Sequence, residues 1–368
     1  MASMTSIASG TPAASAPGMP RTSFTRMLRS QLWWLRRLLM VPVYLFVFCI
    51  VLFFLVRTIP GDPVINATGG QNITPEQYAA MQESLGLSGS LWDQLMAYLG
   101  RLFTGDLGTS FSTGAPVLED LARVIPGTLQ NAVLASLGIV VLGILVGTLV
   151  LWRPGNPVSR FAVFIARTAG AVPDFVLGIF GILLFFVILG IAPAPIGLYD
   201  VVLTPPPTIT GFSLIDSAVS GRWDVFFSIV AHLWLPTLTL VLAYGPMLLK
   251  VLVPALIFSA EAAPTKFAVA TGQRGSAVIW SVWRRGMPAA LAMFGTLFGF
   301  LLGGAVIIEQ LFALQGSAQY AVNAVRRSDY VALQGILLVI ALISLLVFLA
   351  VDIVTAIIDP RRRSAGAH

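Results

Sequence analysis

Hydrophobic positions along this chain fall into long unbroken runs rather than alternating stretches. Residues 38–56 (LLMVPVYLFVFCIVLFFLV) carry no charge, and neither do residues 132–152. A helix crossing ~30 Å of hydrocarbon takes about 20 such residues. Further apolar runs predict spans over 161–191, 226–249, 289–308 and 331–351. The third is longer than a span requires and is broken by Pro173-Asp174; the fourth contains His232 and Pro236. Backbone in lipid must satisfy its own hydrogen bonds, which leaves helices or closed barrels. Continuous apolarity without a period of two selects helices. The expected fold is therefore all-α, a polytopic membrane protein with six transmembrane helices.

The polar stretches between these runs divide the rest. Residues 58–126 are too many for a simple connection and predict an extracytoplasmic segment between helices 1 and 2. It should hold an amphipathic helix near 75–85, with Thr74 as N-cap and Pro75 at the first helical position. A second outer segment, 193–225, is rich in proline and threonine. Residues 1–31, rich in Ser, Thr, Pro, Gly and Arg, predict a disordered cytoplasmic extension. The six-helix transmembrane domain spans 32–363, with a cytoplasmic loop over 254–288 and a tail at 364–368.

Composition sharpens this picture. The chain is 57% hydrophobic and 10% charged, whereas soluble domains carry about 25% charge. The net charge of +6 could suggest nucleic acid, but its distribution follows the spans. Arg21, Arg26, Arg29, Arg36, Arg37, Arg153, Arg160, Arg167, Lys250, Lys266, Arg274, Arg284, Arg285 and Arg361–Arg363 all fall in alternate connections. Under the positive-inside rule these connections are cytoplasmic, and both termini with them. The basic residues then read as topology signals, with lipid and not nucleic acid as the surrounding partner. The single cysteine, Cys49, excludes an intrachain disulfide or a cysteine-based metal site.

Catalytic chemistry has no foothold. A phosphate-binding loop ends in Gly-Lys-Ser/Thr, but the only lysines, Lys250 and Lys266, follow Leu249 and Thr265. With only His232 and His368, a two-histidine zinc helix is impossible. Intramembrane carboxylates cost about 2.5–3.5 kcal/mol at the bilayer centre and suggest function. Asp174, Glu309 and Asp352 are the candidates, with Glu309 foremost for gating or substrate passage. Asp352 can instead reach the inner interface, Asp174 can bond backbone freed at the Pro173 kink, and His232 can bond a neighbour near its helix end.

Several motifs occur in a fixed order. Pro60-Gly61-Asp62-Pro63 follows the first span, then Leu85-Gly86-Leu87, Gly105-Asp106-Leu107-Gly108-Thr109-Ser110, and Pro126 with Thr128-Leu129. Later come Gly303-Gly304-Ala305-Val306-Ile307-Ile308-Glu309 with Phe312, Asp329-Tyr330, Gln334-Gly335, and the closing Asp359-Pro360-Arg361. In order and spacing these resemble the permease subunits of bacterial dipeptide/oligopeptide ABC importers, over about 34–363. The segment Phe267-Ala268-Val269-Ala270-Thr271-Gly272-Gln273-Arg274-Gly275 is similar to the family's "YVRTARAKG", which docks on the ATPase, and Pro288 stands 13 residues after Gly275 as in the wider class. Arg274 stands for the usual lysine, Val269 and Gly272 for arginines, Arg285 for a histidine, and Gln315-Gly316-Ser317-Ala318 for "PGLG".

The resemblance implies a non-enzymatic subunit of the bacterial inner membrane that lines the path of an ATP-driven peptide importer. Its implied partners are a second permease, two cytoplasmic ATPases that bind ATP and Mg, and an extracytoplasmic substrate-binding protein. No cofactor is implied in this chain. Pro264, Thr265, Lys266, Phe267, Ala270, Thr271, Gly272, Arg274 and Gly275 would form the ATPase-coupling segment, with a short helix begun by Pro264 and ended at Gly272 or Gly275. Glu309, Asp174 and Asp329 are the gating or pathway candidates. A permease for nickel or another small solute, and an ion-driven secondary transporter, are the alternatives.

Overall fold

The computed structural model describes residues 33–68, 73–152, 155–167 and 172–358. The expected N-terminal extension, the closing Asp359-Pro360-Arg361 and the tail lie outside them. Among the described residues, five helices are long and apolar enough to cross a membrane: α1 (Trp33–Val56), α5 (Val117–Trp152), α9 (Trp223–Glu261), α11 (Gly275–Leu311) and α13 (Tyr330–Ile358). Between them lie α2 (Pro63–Ala67), α3 (Pro75–Ser84), α4 (Leu91–Phe103), α6 (Pro157–Arg167), α7 (Asp174–Gly181), α8 (Ser213–Val219), α10 (Ala263–Ala270) and α12 (Ser317–Arg326).

The expected third span is divided. An amphipathic α6 precedes residues 168–171, which are outside the described set. The apolar helix then restarts at Asp174 as α7 and continues to Ile188 in π geometry. Pro173 stands as the N-cap with extended backbone, ψ 146°, and its ring disfavours helical backbone in the residue before it. The resulting 15-residue apolar stretch is shorter than the about 20 residues of an ordinary span.

Three helices overrun their expected bounds. α5 begins at Val117, not 132, passing through Pro126 and taking the end of the expected 58–126 segment with it. α9 and α11 run on into the expected 254–288 loop, leaving only α10 and its turns between them. At 39 and 37 residues they extend about 58 and 55 Å, well beyond the bilayer core. Polar residues at these helix ends obscured them, because an apolar-run criterion reads only the lipid-facing part.

α9 is the central element, packing most extensively against α5 and α11. Ile139, Ile229, Leu240, Leu256, Leu297 and Leu301 meet there, all fully buried. α1 packs on α13 at the edge, where Arg37 and Asp352 form an ion pair across the two helices. This fixes Asp352 as a helix-tethering group. His232 turns its Nδ1 to the Ser228 carbonyl of its own helix at 2.8 Å, so it too is bonded to a neighbour.

The polar segments fold over one end of the bundle. α3 carries the expected cap: the Thr74 hydroxyl accepts from the Gln77 amide at 3.3 Å, and the Gln77 side chain accepts from the Thr74 amide at 2.9 Å. It buries none of its residues, against the amphipathic expectation. α4 is the amphipathic one, burying Leu95 and Leu99 against Cys49 and Phe53 of α1. Asp62 caps α2, accepting from the Val64 amide at 2.8 Å and the Tyr78 hydroxyl at 2.8 Å. Burial pushes the Asp62 carboxyl up, but the Tyr78 hydroxyl and the Val64 and Ile65 amides outweigh it and hold the group below its ordinary value.

In the second outer segment, Asp216 gathers the amides of Ile209, Thr210 and Gly211 within 3.2 Å, with the Thr210 hydroxyl at 2.6 Å. Here too burial raises the carboxyl, while the donors of Thr210, Ile209 and Gly211 bring it below the usual range. Gln130 of α5 accepts from the Leu214 amide at 3.0 Å and ties this loop to the bundle.

Candidate functional site

Two assemblies lie at opposite ends of α11. The first is α10 and the turns around it. Pro264 occupies the first turn, where its missing N–H costs nothing. The helix ends at Ala270 and the chain reverses through Gly272 at φ +73°. Gly275 does not end this helix, as one expectation had it, but opens α11.

Only Thr265 and Ala268 of α10 are buried. Lys266, Phe267, Val269, Ala270, Thr271, Gly272, Arg274 and Gly275 are all exposed, with Phe267 69% accessible. Two large apolar side chains bracketed by Lys266 and Arg274 thus project from the end of the bundle. Isolated exposed apolar residues are ordinary, but a contiguous projecting group marks an interaction surface.

What holds this projection is a polar clamp that sequence reasoning missed. Arg285 of α11 donates Nε–H to the Ser259 hydroxyl at 3.1 Å and another N–H to the Ser259 carbonyl at 3.3 Å. It also donates to the Thr265 hydroxyl. Thr265 in turn donates to the Ser259 carbonyl at 2.7 Å, and the Ser259 hydroxyl to the Val282 carbonyl at 3.2 Å. The planar guanidinium fork presents several donors in fixed geometry, so it joins the end of α9, the first turn of α10 and α11 in one unit. Ser259 and Arg285 gave no signal in sequence beyond the departure from histidine at 285.

The second assembly surrounds Glu309 near the far end of α11. Its side chain is 1% accessible. It accepts from the Thr128 hydroxyl of α5 and from the Ala318 amide of α12, the latter at 3.0 Å. The Thr128 oxygen itself accepts from the amide and hydroxyl of Ser317, each at 2.8 Å. One carboxyl therefore latches three elements, α5, α11 and the start of α12. Gly316 lies so close that a Cβ there would overlap the Glu309 carboxyl group. The Gln315-Gly316-Ser317-Ala318 segment that departs from the resembled pattern thus supplies one partner of Glu309, the Ala318 amide, and through Ser317 holds the other, Thr128.

Asp174 sits at the first turn of α7, half-buried, and accepts from the Tyr244 hydroxyl of α9 at 3.0 Å. A Cβ at Gly304 would meet that hydroxyl and lie 2.9 Å from the Asp174 carboxylate. Gly304 of the motif is thereby explained: it admits the Asp174–Tyr244 contact across the face of α11. Tyr244 carried no sequence signal.

Asp329 belongs elsewhere. Fully buried, it caps α13 through the Ala332 amide at 3.0 Å and accepts from the Ser110 hydroxyl at 2.7 Å and the Ser112 amide at 3.1 Å. Its geometry joins the Gly105–Ser110 motif to the start of α13, a structural pin rather than a group facing open space. Nearby, Asn66 donates to the Ser328 hydroxyl at 2.9 Å, so the Pro60–Pro63 motif docks on the same turn. Glu309, Asp174 and Asp329 are thus not one site. Among the described residues no group of three or more His, Cys, Asp or Glu could hold a metal ion.

Comparison with known proteins bears on this arrangement. A family model described as the binding-protein-dependent transport system inner membrane component matches residues 139–364, and a companion model for the N-terminal part of such components matches 27–132. The probable D,D-dipeptide transport system permease protein DdpB of Escherichia coli K12 is 33% identical over 87% of this chain and 94% of its own. The dipeptide transport system permease protein DppB of the same strain is 32% identical over 89% and 98%. The di/tripeptide transport system permease protein DppB of Pseudomonas aeruginosa UCBPP-PA14 is 31% identical over 89% and 97%.

Proposed function

This chain belongs to the binding-protein-dependent transport system inner-membrane component family, and from that premise we propose that it forms part of the translocation path of an ATP-driven importer of di- and oligopeptides. It is a multi-pass membrane subunit and not the ATPase. The peptide cargo is supported by the names of relatives matched along nearly their whole length. A substrate-binding protein and ATPase partners go with the family. In our reading two ATPase subunits and a second permease complete the assembly, and the ATPases supply the site for ATP and Mg. Both termini and the α10 end face the cytoplasm, a placement supported by the clustering of Lys and Arg there.

The observation that carries the mechanism is the Arg285–Ser259–Thr265 clamp behind an exposed α10. ATPase closure would move α10, and the clamp would pass that movement to α9 and α11 as a rigid body. α11 then carries it from Arg285 to Glu309, 24 residues and about 36 Å away. There the Glu309 latch would be made in one state of the path and broken in the other. Such a switch requires contacts that differ between states, and a buried carboxyl shared by three elements provides them. Asp174 and Tyr244 would line the path between the two ends.

Affinity purification of the tagged chain from gently solubilised membranes tests this reading. It should bring down P-loop ATPases and a second permease, and proteoliposomes given the binding protein should take up peptide only with ATP. A chain that remains alone and moves solute down an ion gradient sinks the proposal in favour of a secondary transporter.

A further inference from the structure

A cavity of about 620 Å³ opens between the ends of α5, α6 and α9. Its walls are mostly apolar, built from Val150, Val163, Phe164 and Ile257. Two charged residues of opposite sign also line it, Arg160 of α6 and Glu261, the last residue of α9. Both are exposed, and among the described residues neither side chain forms an ion pair or hydrogen bond. Apolar walls with one unpartnered cation and one unpartnered anion, at the end of spanning helices, match a molecule with an acyl body and a zwitterionic head.

We propose that this cavity binds a phospholipid with a primary-amine headgroup, of the phosphatidylethanolamine class. The phosphate would pair with Arg160, whose guanidinium suits phosphate oxygens. The ammonium would donate to the Glu261 carboxylate, and acyl carbon would fill the space between Val150, Val163, Phe164 and Ile257. Charge pattern selects this headgroup. A choline head has no N–H to give Glu261, a glycerol head has no positive charge, and a serine head adds a carboxylate that Glu261 repels. Glu261 stands two residues before Ala263, where α10 starts, so the lipid abuts the segment that we read as ATPase-coupling. The site requires only that the chain lie in a membrane; it does not depend on the cargo or on which side is cytoplasmic.

Native mass spectrometry of the intact, delipidated complex, titrated with phosphatidylethanolamine, its N-methyl and N,N-dimethyl forms, phosphatidylcholine and phosphatidylglycerol, tests this. Retention should step down as N–H donors are lost, with a total fall of roughly fivefold, the upper end for an exposed ion pair. Glu261→Gln should reduce phosphatidylethanolamine to the choline level. Arg160→Gln should lower every phospholipid by about fivefold, and Arg160→Lys should restore most of it. Equal retention across the methylation series, or a preference for phosphatidylglycerol, overturns the proposal. That series needs only the unaltered protein, so a variant that fails to fold leaves the test intact.

Discussion

Gly316→Ala is the sharpest probe of the Glu309 latch. The added methyl would overlap the carboxyl group of Glu309, which is 1% accessible and has no solvent to move into. Relief requires the carboxyl to leave the Thr128 hydroxyl and the Ala318 amide, the latter now at 3.0 Å. Buried groups stripped of their partners cost about 1–3 kcal/mol each, so the expected loss for the two is roughly 2–6 kcal/mol. Thermal unfolding of the purified chain, followed by tryptophan fluorescence, should show a midpoint lowered by about 5 °C or more. Glu309→Ala should also destabilise, by leaving the same two donors unpaired. Combined, however, the two changes should cost little more than Glu309→Ala alone, because the overlap disappears with the carboxyl. The double-mutant cycle should therefore show a favourable coupling of about 2 kcal/mol or more. If Gly316→Ala melts like the parent, or the two losses simply add, the latch is misread.

Three further outcomes follow from the same contacts. Arg285→Ala should leave the spans folded, with a melting loss under about 3 kcal/mol for charge-assisted bonds to an exposed group, yet should uncouple ATP hydrolysis from peptide uptake in proteoliposomes. Gly304→Ala should push Tyr244 away from Asp174 and lower the melting midpoint, and Tyr244→Phe in the same chain should recover part of that loss. Asp62 and Asp216 have folded pKa values below their ordinary ones, so their stabilising contribution is complete above the unfolded value of about 3.9. It is lost as pH falls through the lower folded value. Limited proteolysis of the outer segments should therefore rise below about pH 4, and Asp216→Asn should make them labile already at neutral pH.

Much of this architecture was legible in the residues. Charge-free runs located the five long spans, because lipid-facing helices need apolar side chains all along their exposed length. Pro264 and the Gly272 turn marked a short helix between two spans, as the structure has it. The extension of α5 to Val117 was hidden because its first turns, with Glu119, Asp120 and Arg123, belong to the polar cap rather than to lipid. The division of the third run needed the geometry at Pro173, which a count of apolar residues reads only as an interruption. Glu309 stood out as a buried carboxylate, but its partners lie 181 residues away at Thr128 and across a turn at Ala318. The Arg285 clamp joins residues 20 and 26 apart through side chains with no shared pattern. Contacts of that kind are set by packing and leave no periodic trace.

The central claim is that α10 is where ATPase motion enters this chain. A single cysteine at Phe267→Cys, in a Cys49→Ala chain, can be tested for cross-linking to co-purified ATPase, beside Val201→Cys in the opposite segment as the contrast. Both positions are exposed, Phe267 at 69% and Val201 at 83%. The account predicts an ATPase adduct from position 267 whose yield changes with bound nucleotide, and none from position 201. An adduct from 201 alone, or from neither position in an assembly that still hydrolyses ATP, would contradict it.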